Sequence, residues 1–207
     1  SFPTRRSSDL SAMADESMIV VDPKGELVRK THTFLKERGY QISVLNWRNT
    51  RLSPDSWNPM GRINKLYKSG KRGQEDAVNA LNDLLDGLFN KRSNADKDKY
   101  WNESAGRLAL GLCKLILAVD EELSLRKLLD WKNGKLKDGT VRSCFESLAS
   151  DNDIYQNLSG YMNLTAENTK TCIESTFDQL TGIFSSSKAL IDMMSEDTME
   201  LESIDLD

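Results

Sequence analysis

The sequence predicts a short α/β start, one parallel strand–helix–strand unit, followed by an all-α body. Three observations predict this. All four prolines, Pro3, Pro23, Pro54 and Pro59, lie before residue 60, so the long remainder lacks the residue that most strongly breaks helices. Ahead of that boundary, two short apolar runs stand about one helix apart, the spacing of a right-handed parallel crossover. Behind it, apolar residues recur at steps of three and four, the period of helices buried on one face.

Residues 18–22, Met-Ile-Val-Val-Asp, form an apolar run ending in an acid and a proline, and read as a first buried strand. Residues 26–38 read as a helix with Leu27, Thr31, Phe34 and Leu35 on one side and Gly39 as its stop. Residues 42–45, Ile-Ser-Val-Leu, read as the second strand. Beyond Pro59, one stripe runs through Ala77, Leu81, Leu84, Leu85 and Leu88, and a second through Ala105, Leu108, Leu112, Leu115, Ile116 and Val119. A third runs through Thr169, Cys172, Ile173, Thr176, Phe177, Leu180 and Phe184. Thr165 fits the N-cap of the last helix, and Ser124 and Thr140 fit those of shorter ones. Asn133-Gly134 and Asp138-Gly139 mark turns. Residues 73–184 are therefore expected to form a bundle of five or six helices. The tail from Asp192 carries seven acids and no base, and reads as a solvated end.

Composition narrows the function. With 38% hydrophobic and 29% charged residues, the 207-residue chain can bury a real core. A formal net charge of -4 excludes wholesale coating of nucleic acid, so any DNA contact must be local. Cys113, Cys144 and Cys172 are widely spaced and odd in number, which indicates neither a disulfide framework nor a zinc site and fits a reducing compartment. The longest apolar run, residues 108–119, is interrupted by Lys114 and falls short of the ~20 residues a membrane span requires. His32 is the only histidine, so no catalytic triad or histidine metal site is supported.

The most informative segment is residues 22–26, Asp-Pro-Lys-Gly-Glu, between the first expected strand and the first helix. Two readings fit it. Asp22 can cap the helix with Pro23 in its first turn. Alternatively, the helix N-terminus and Lys24 can face a phosphate, since free backbone N–H groups collect there.

The segment does not stand alone. Residues 17–26, Ser-Met-Ile-Val-Val-Asp-Pro-Lys-Gly-Glu, are followed by residues 39–46, Gly-Tyr-Gln-Ile-Ser-Val-Leu-Asn, then 56–60, Ser-Trp-Asn-Pro-Met, and later 98–105, Asp-Lys-Tyr-Trp-Asn-Glu-Ser-Ala. In order and spacing this set resembles the TraG/TraD-type coupling proteins of type IV secretion, over nearly all of residues 17–207. The resemblance implies a membrane-anchored, homo-hexameric P-loop motor that uses ATP and Mg²⁺. Its inserted helical domain faces the cytoplasm and meets the relaxosome, and it drives relaxase and single-stranded DNA into the secretion channel. On that footing, residues 11–60 are part of a RecA-like P-loop NTPase domain. Residues 61–190 are the inserted all-α domain, and 191–207 an acidic tail leading back to the motor. Residues 1–10 look like a translated sequencing adaptor, an artefactual leader. Asp22, Lys24 and Glu26 then flank the nucleotide. A recruiter of protein effectors only, with the helical domain as cargo module, is the alternative.

No Gly-x-x-x-x-Gly-Lys-Ser/Thr occurs in the sequence, and the family's acidic Walker B strand is expected beyond Asp207. The chain is therefore read as the interval between those motifs, and no catalytic or metal-ligating residue is assigned to it. ATP turnover by the chain alone is not expected. Residues 115–121, Leu-Ile-Leu-Ala-Val-Asp-Glu, have the form of a Walker B strand, yet they continue the helical stripe from Trp101, so Asp120 and Glu121 read as acids at a helix end. Lys71 and Arg72, and Lys91 and Arg92, with Lys97 and Lys99, read as loop cations beside helix ends that are either solvated or candidates for DNA contact. Trp57 and Trp101 can stack on bases, but their setting reads as core.

Overall fold

Helices close their own backbone hydrogen bonds, so a stripe of apolar residues becomes a stable element wherever another stripe covers it. That logic builds the molecule, a computed structural model that describes residues 17–89, 96–119 and 121–199. Among the described residues the elements are α1 (Glu26–Glu37), a 3-10 turn (Thr50–Leu52), α2 (Gly61–Lys68), α3 (Lys71–Phe89), α4 (Asp96–Ala118), α5 (Leu125–Asp130), a π-helical turn (Trp131–Lys135), α6 (Thr140–Ser147), α7 (Asp153–Met162), α8 (Glu167–Ser185) and α9 (Lys188–Met193).

The centre of the body is α4. It packs against α3, α5, α7 and α8, and its Ala105, Leu108, Leu112 and Ile116 have no exposed surface. Each such leucine or isoleucine contributes on the order of 2 kcal/mol by leaving water. The approach to α7 is close enough that a Cβ on Gly111 would lie 2.5 Å from Leu158 Cδ2, so any larger residue there would force the buried Leu158 side chain to shift. Phe89 of α3 and Phe177 of α8 meet with ring centroids 5.3 Å apart, joining those helices over the same core. The three stripes read from the sequence are thus the three long helices α3, α4 and α8.

The expected α/β start is not what forms. Among the described residues there is no strand and no sheet. The helix between the two apolar runs is present, stopped by Gly39 at φ 86°, but residues 18–22 and 42–45 have no regular secondary structure and no ladder partners among the described residues. The physical reason is that a strand is only half of a structure and needs a neighbour to take its N–H and C=O groups. Here Ile19 and Val21 are 74% and 83% exposed, and Val44 N–H donates to the Asp55 carboxylate at 2.6 Å instead of to a strand. Helix α1 likewise buries no residue completely.

The body is also helical from an earlier point than the stripes suggested. Residues 61–68 form α2, which a short turn at Ser69 and Gly70 folds back onto α3. Of the expected caps, Ser124 accepts from Lys127 N–H at 3.2 Å as anticipated. Thr140 lies one residue inside its helix, with Asp138 accepting its N–H at 2.9 Å, and α8 begins after Ala166 without a side-chain cap.

The described end of the chain returns to where the helical body starts. Trp57 N–H donates to Met193 O at 2.9 Å, Thr198 N–H to Ser56 O at 3.0 Å, and Ser56 N–H to Thr198 Oγ1 at 2.8 Å. Of residues 192–199, expected to be solvated, Met193 and Met194 are buried and Asp192 pairs with Arg126 of α5, while Glu196, Asp197 and Thr198 are exposed.

Candidate functional site

Asp22 is a helix cap in the structure. Its carboxylate accepts the N–H groups of Glu26 (3.2 Å), Leu27 (2.8 Å) and Val28 (3.1 Å). Burial acts to raise its pKa, but the backbone N–H donors of Val28, Leu27, Glu26 and Lys24 outweigh it and hold the carboxyl below its ordinary value. Lys24 and Glu26 are exposed, and Glu26 lies 3.8 Å from Lys30, a pair open to water on both sides. The donors that a phosphate would use at the start of α1 are therefore taken by Asp22. Among the described residues, no three His, Cys, Asp or Glu side chains gather where they could hold a metal ion. Asp22, Lys24 and Glu26, placed in this way, do not fit ATP and Mg²⁺.

The Trp-Asn-Pro loop has a structural task. Asn58 is buried and donates Nδ2 to Leu123 O at 3.0 Å, while its Oδ1 accepts Met60 N–H at 3.0 Å. Asn64, also buried, donates to the same Leu123 O at 2.9 Å and accepts Leu123 N–H at 2.8 Å. Together they clamp the connection between α4 and α5. The Walker-B-like run leads into that connection: its residues 115–118 are the last turn of α4, and Asp120 lies outside the described residues. Glu121 accepts from Trp131 Nε1 at 3.1 Å and pairs with Lys127 at 3.1 Å. Burial works against its charge, but the Lys127 and Trp131 donors prevail and hold its pKa below the ordinary value.

Lys71 and Arg72 open α3; they do not sit in a loop. They extend a basic face that sequence reading divided too narrowly: residues 56–74 carry five cations, Arg62, Lys65, Lys68, Lys71 and Arg72, and no acid. All five are exposed. Lys68 stands 3.5 Å from Glu122, whereas Arg62, Lys71 and Arg72 make no ion pair among the described residues. The signal available in the sequence was the three-residue spacing of Arg62, Lys65 and Lys68, which puts them on neighbouring positions of one helix surface. Lys91 and Arg92 lie outside the described residues, and Lys99 pairs with Glu103 at 4.0 Å. Trp57 and Trp101 are half-buried, in keeping with packing.

Set beside this geometry, a family model described as type IV secretory system conjugative DNA transfer matches residues 12–202. The chain belongs to that conjugative DNA-transfer family. The match covers α1, the clamp loop and every helix of the body, so involvement in DNA transfer by type IV secretion attaches to the whole described chain. Searches of curated proteins and of solved structures returned no match. Within this conjugative family member, no helix of the described residues is long and apolar enough to cross a membrane.

Proposed function

We propose that this chain is the substrate-facing part of a conjugative coupling protein, recruiting the relaxosome and helping to pass relaxase-bound single-stranded DNA to the secretion channel. The observation that carries this reading is the basic face of α2 and the start of α3. Two cations in the first turn of α3 oppose the helix macrodipole, which already places partial positive charge there. Such a placement costs stability in the free chain and is relieved by an anion, and a nucleic-acid backbone supplies anions at regular spacing. The family's transfer of DNA supplies the substrate.

In this reading the assembled machine is a membrane-anchored homo-hexamer that draws on ATP and Mg²⁺ held elsewhere in the assembly. Asp22, Lys24 and Glu26 then sit beside the motor and do no chemistry. The helical body acts as an inserted domain, a view supported by the pairing of Ser56 with Thr198 where the chain enters and leaves it.

A second reading, recruitment of protein effectors only, is favoured by the turns of α3 that follow Lys71 and Arg72 on the same solvent side, where Glu75, Asp76, Asp83 and Asp86 are all exposed. The two are separated by measuring binding of a labelled single strand to the wild-type chain and to Lys71→Glu/Arg72→Glu. The DNA reading expects affinity to fall at least tenfold with a melting temperature no lower than that of the wild type, since acids suit a helix N-terminus. Equal affinity in the two proteins, or no binding by the wild type, leaves the effector reading in possession.

A further inference from the structure

We infer that the loop of residues 46–53 is a second contact for single-stranded nucleic acid, in which Trp47 stacks on a base while Arg48 and Arg51 hold flanking phosphates. The inference rests on the DNA reading above and names a site apart from the α2–α3 face.

Trp47 is 52% exposed, and Leu52 of the same loop is 69% exposed. Exposing an indole to water is unfavourable, and a loop with free backbone ordinarily relieves this by folding the ring inward. This loop cannot readily do so, because it is braced from within. Asn46 N–H donates to Ser53 Oγ at 3.0 Å, Asn49 N–H to Asn46 Oδ1 at 3.0 Å, and Ser53 Oγ to Asp55 O at 2.7 Å. Its 3-10 turn, Thr50–Leu52, also rests against α9, which anchors the loop to the helical body. The indole is held outward by a preformed frame.

The charge around it selects the partner. No acid occurs between Glu37 and Asp55, and the Asp55 carboxylate is occupied by Val44 N–H. Arg48 and Arg51 are exposed, and neither makes an ion pair among the described residues. An exposed aromatic ring in one short loop with two arginines that make no ion pair among the described residues is a combination that suits single strands without sequence preference. Every base offers a π-face to stack, and every phosphate accepts from a guanidinium. An acidic protein segment would satisfy the arginines but gives the exposed indole no planar group to stack on.

The test uses the full chain and a fluorescein-labelled oligothymidylate, with anisotropy recorded across a salt series. Trp47→Ala is expected to weaken binding about tenfold or more while the slope of log K against log salt stays unchanged, because stacking releases no counterions. Arg48→Ala/Arg51→Ala is expected to flatten that slope by about 1.4, two single-strand phosphates' worth. Trp47→Phe should recover most of the loss. All these positions are exposed, so melting temperatures should match the wild type.

Wild-type binding by Trp47→Ala overturns the inference. If Lys71→Glu/Arg72→Glu weakens binding in the same assay, the DNA reading survives that failure. If the wild-type chain binds no oligothymidylate, both fall. Loss of relaxase binding in Trp47→Ala with DNA affinity intact overturns the inference in favour of a protein contact at the loop.

Discussion

The Lys132 ammonium sits 2.6 Å from both carboxylate oxygens of Asp178 and 5.8 Å from the centre of the Phe177 ring. Its side chain is 2% exposed, whereas that of Asp178 is 56% exposed. The π-helical turn that contains Lys132 thus brings a cation into the core against α8. Removing Asp178 strands that charge, so Asp178→Ala is expected to cost about 3 kcal/mol, at the low end for a broken buried pair because water can reach the vacated position. Lys132→Met keeps the volume and removes the need for a partner, and should fall within about 1 kcal/mol of the wild type. Denaturant titration of the two variants checks the contrast.

The clamp on Leu123 should show coupling. Asn58 and Asn64 both donate to its carbonyl, so either single alanine variant leaves that oxygen one donor. Each single change is expected to cost about 1–3 kcal/mol, through the orphaned Met60 N–H in one case and Leu123 N–H in the other. The double variant should lose about 1 kcal/mol more than the sum, because the carbonyl is then buried without a partner. A double-mutant cycle by chemical denaturation measures this term directly.

Residues 17–57 contribute no member of the buried core, and the helical body closes on itself where Ser56 meets Thr198. A shortened chain of residues 55–199 should therefore fold cooperatively, with a loss of no more than about 1 kcal/mol relative to the whole. Circular dichroism melts of the two chains test it. A shortened chain that fails to fold shows that α1 and its flanks carry more of the stability than their exposure indicates.

The depressed pKa of Glu121 fixes the sign of a pH effect. Its charged form is favoured in the folded chain by Lys127 and Trp131, so its contribution is present above the ordinary glutamate value of about 4.3 and is lost as pH falls through the lower folded value. The melting-temperature gap between wild type and Glu121→Gln should be largest near neutrality and close toward zero in acid. A gap that grows in acid contradicts the assignment.

How far the sequence could be read follows from which interactions are local. Leu108, Leu112 and Ile116 announce α4 because a helix declares its buried face within a few residues. Ser124 announces its cap for the same reason. Ile19, Val21 and Val44 have the composition of strands, but pairing is not local, and no described residue takes the ladder position beside them. Helix α2 was missed because eight residues give barely two turns of periodicity, and its cations then looked like loop charges. The motif Asp-Pro-Lys-Gly-Glu identified the family without revealing that Asp22 fills the helix start, which depends on side-chain geometry. The loop of Trp47 gave no signal at all, since exposure of an indole is a tertiary property.

The most direct test of the central claim, that the α2–α3 face meets nucleic-acid phosphates, is the salt dependence of single-strand binding by the wild type and by Arg62→Ala/Lys71→Ala/Arg72→Ala. Three lost phosphate contacts should flatten the slope of log K against log salt by about 2. An unchanged slope with unchanged affinity would show that these cations are solvated surface charges, and would contradict the account.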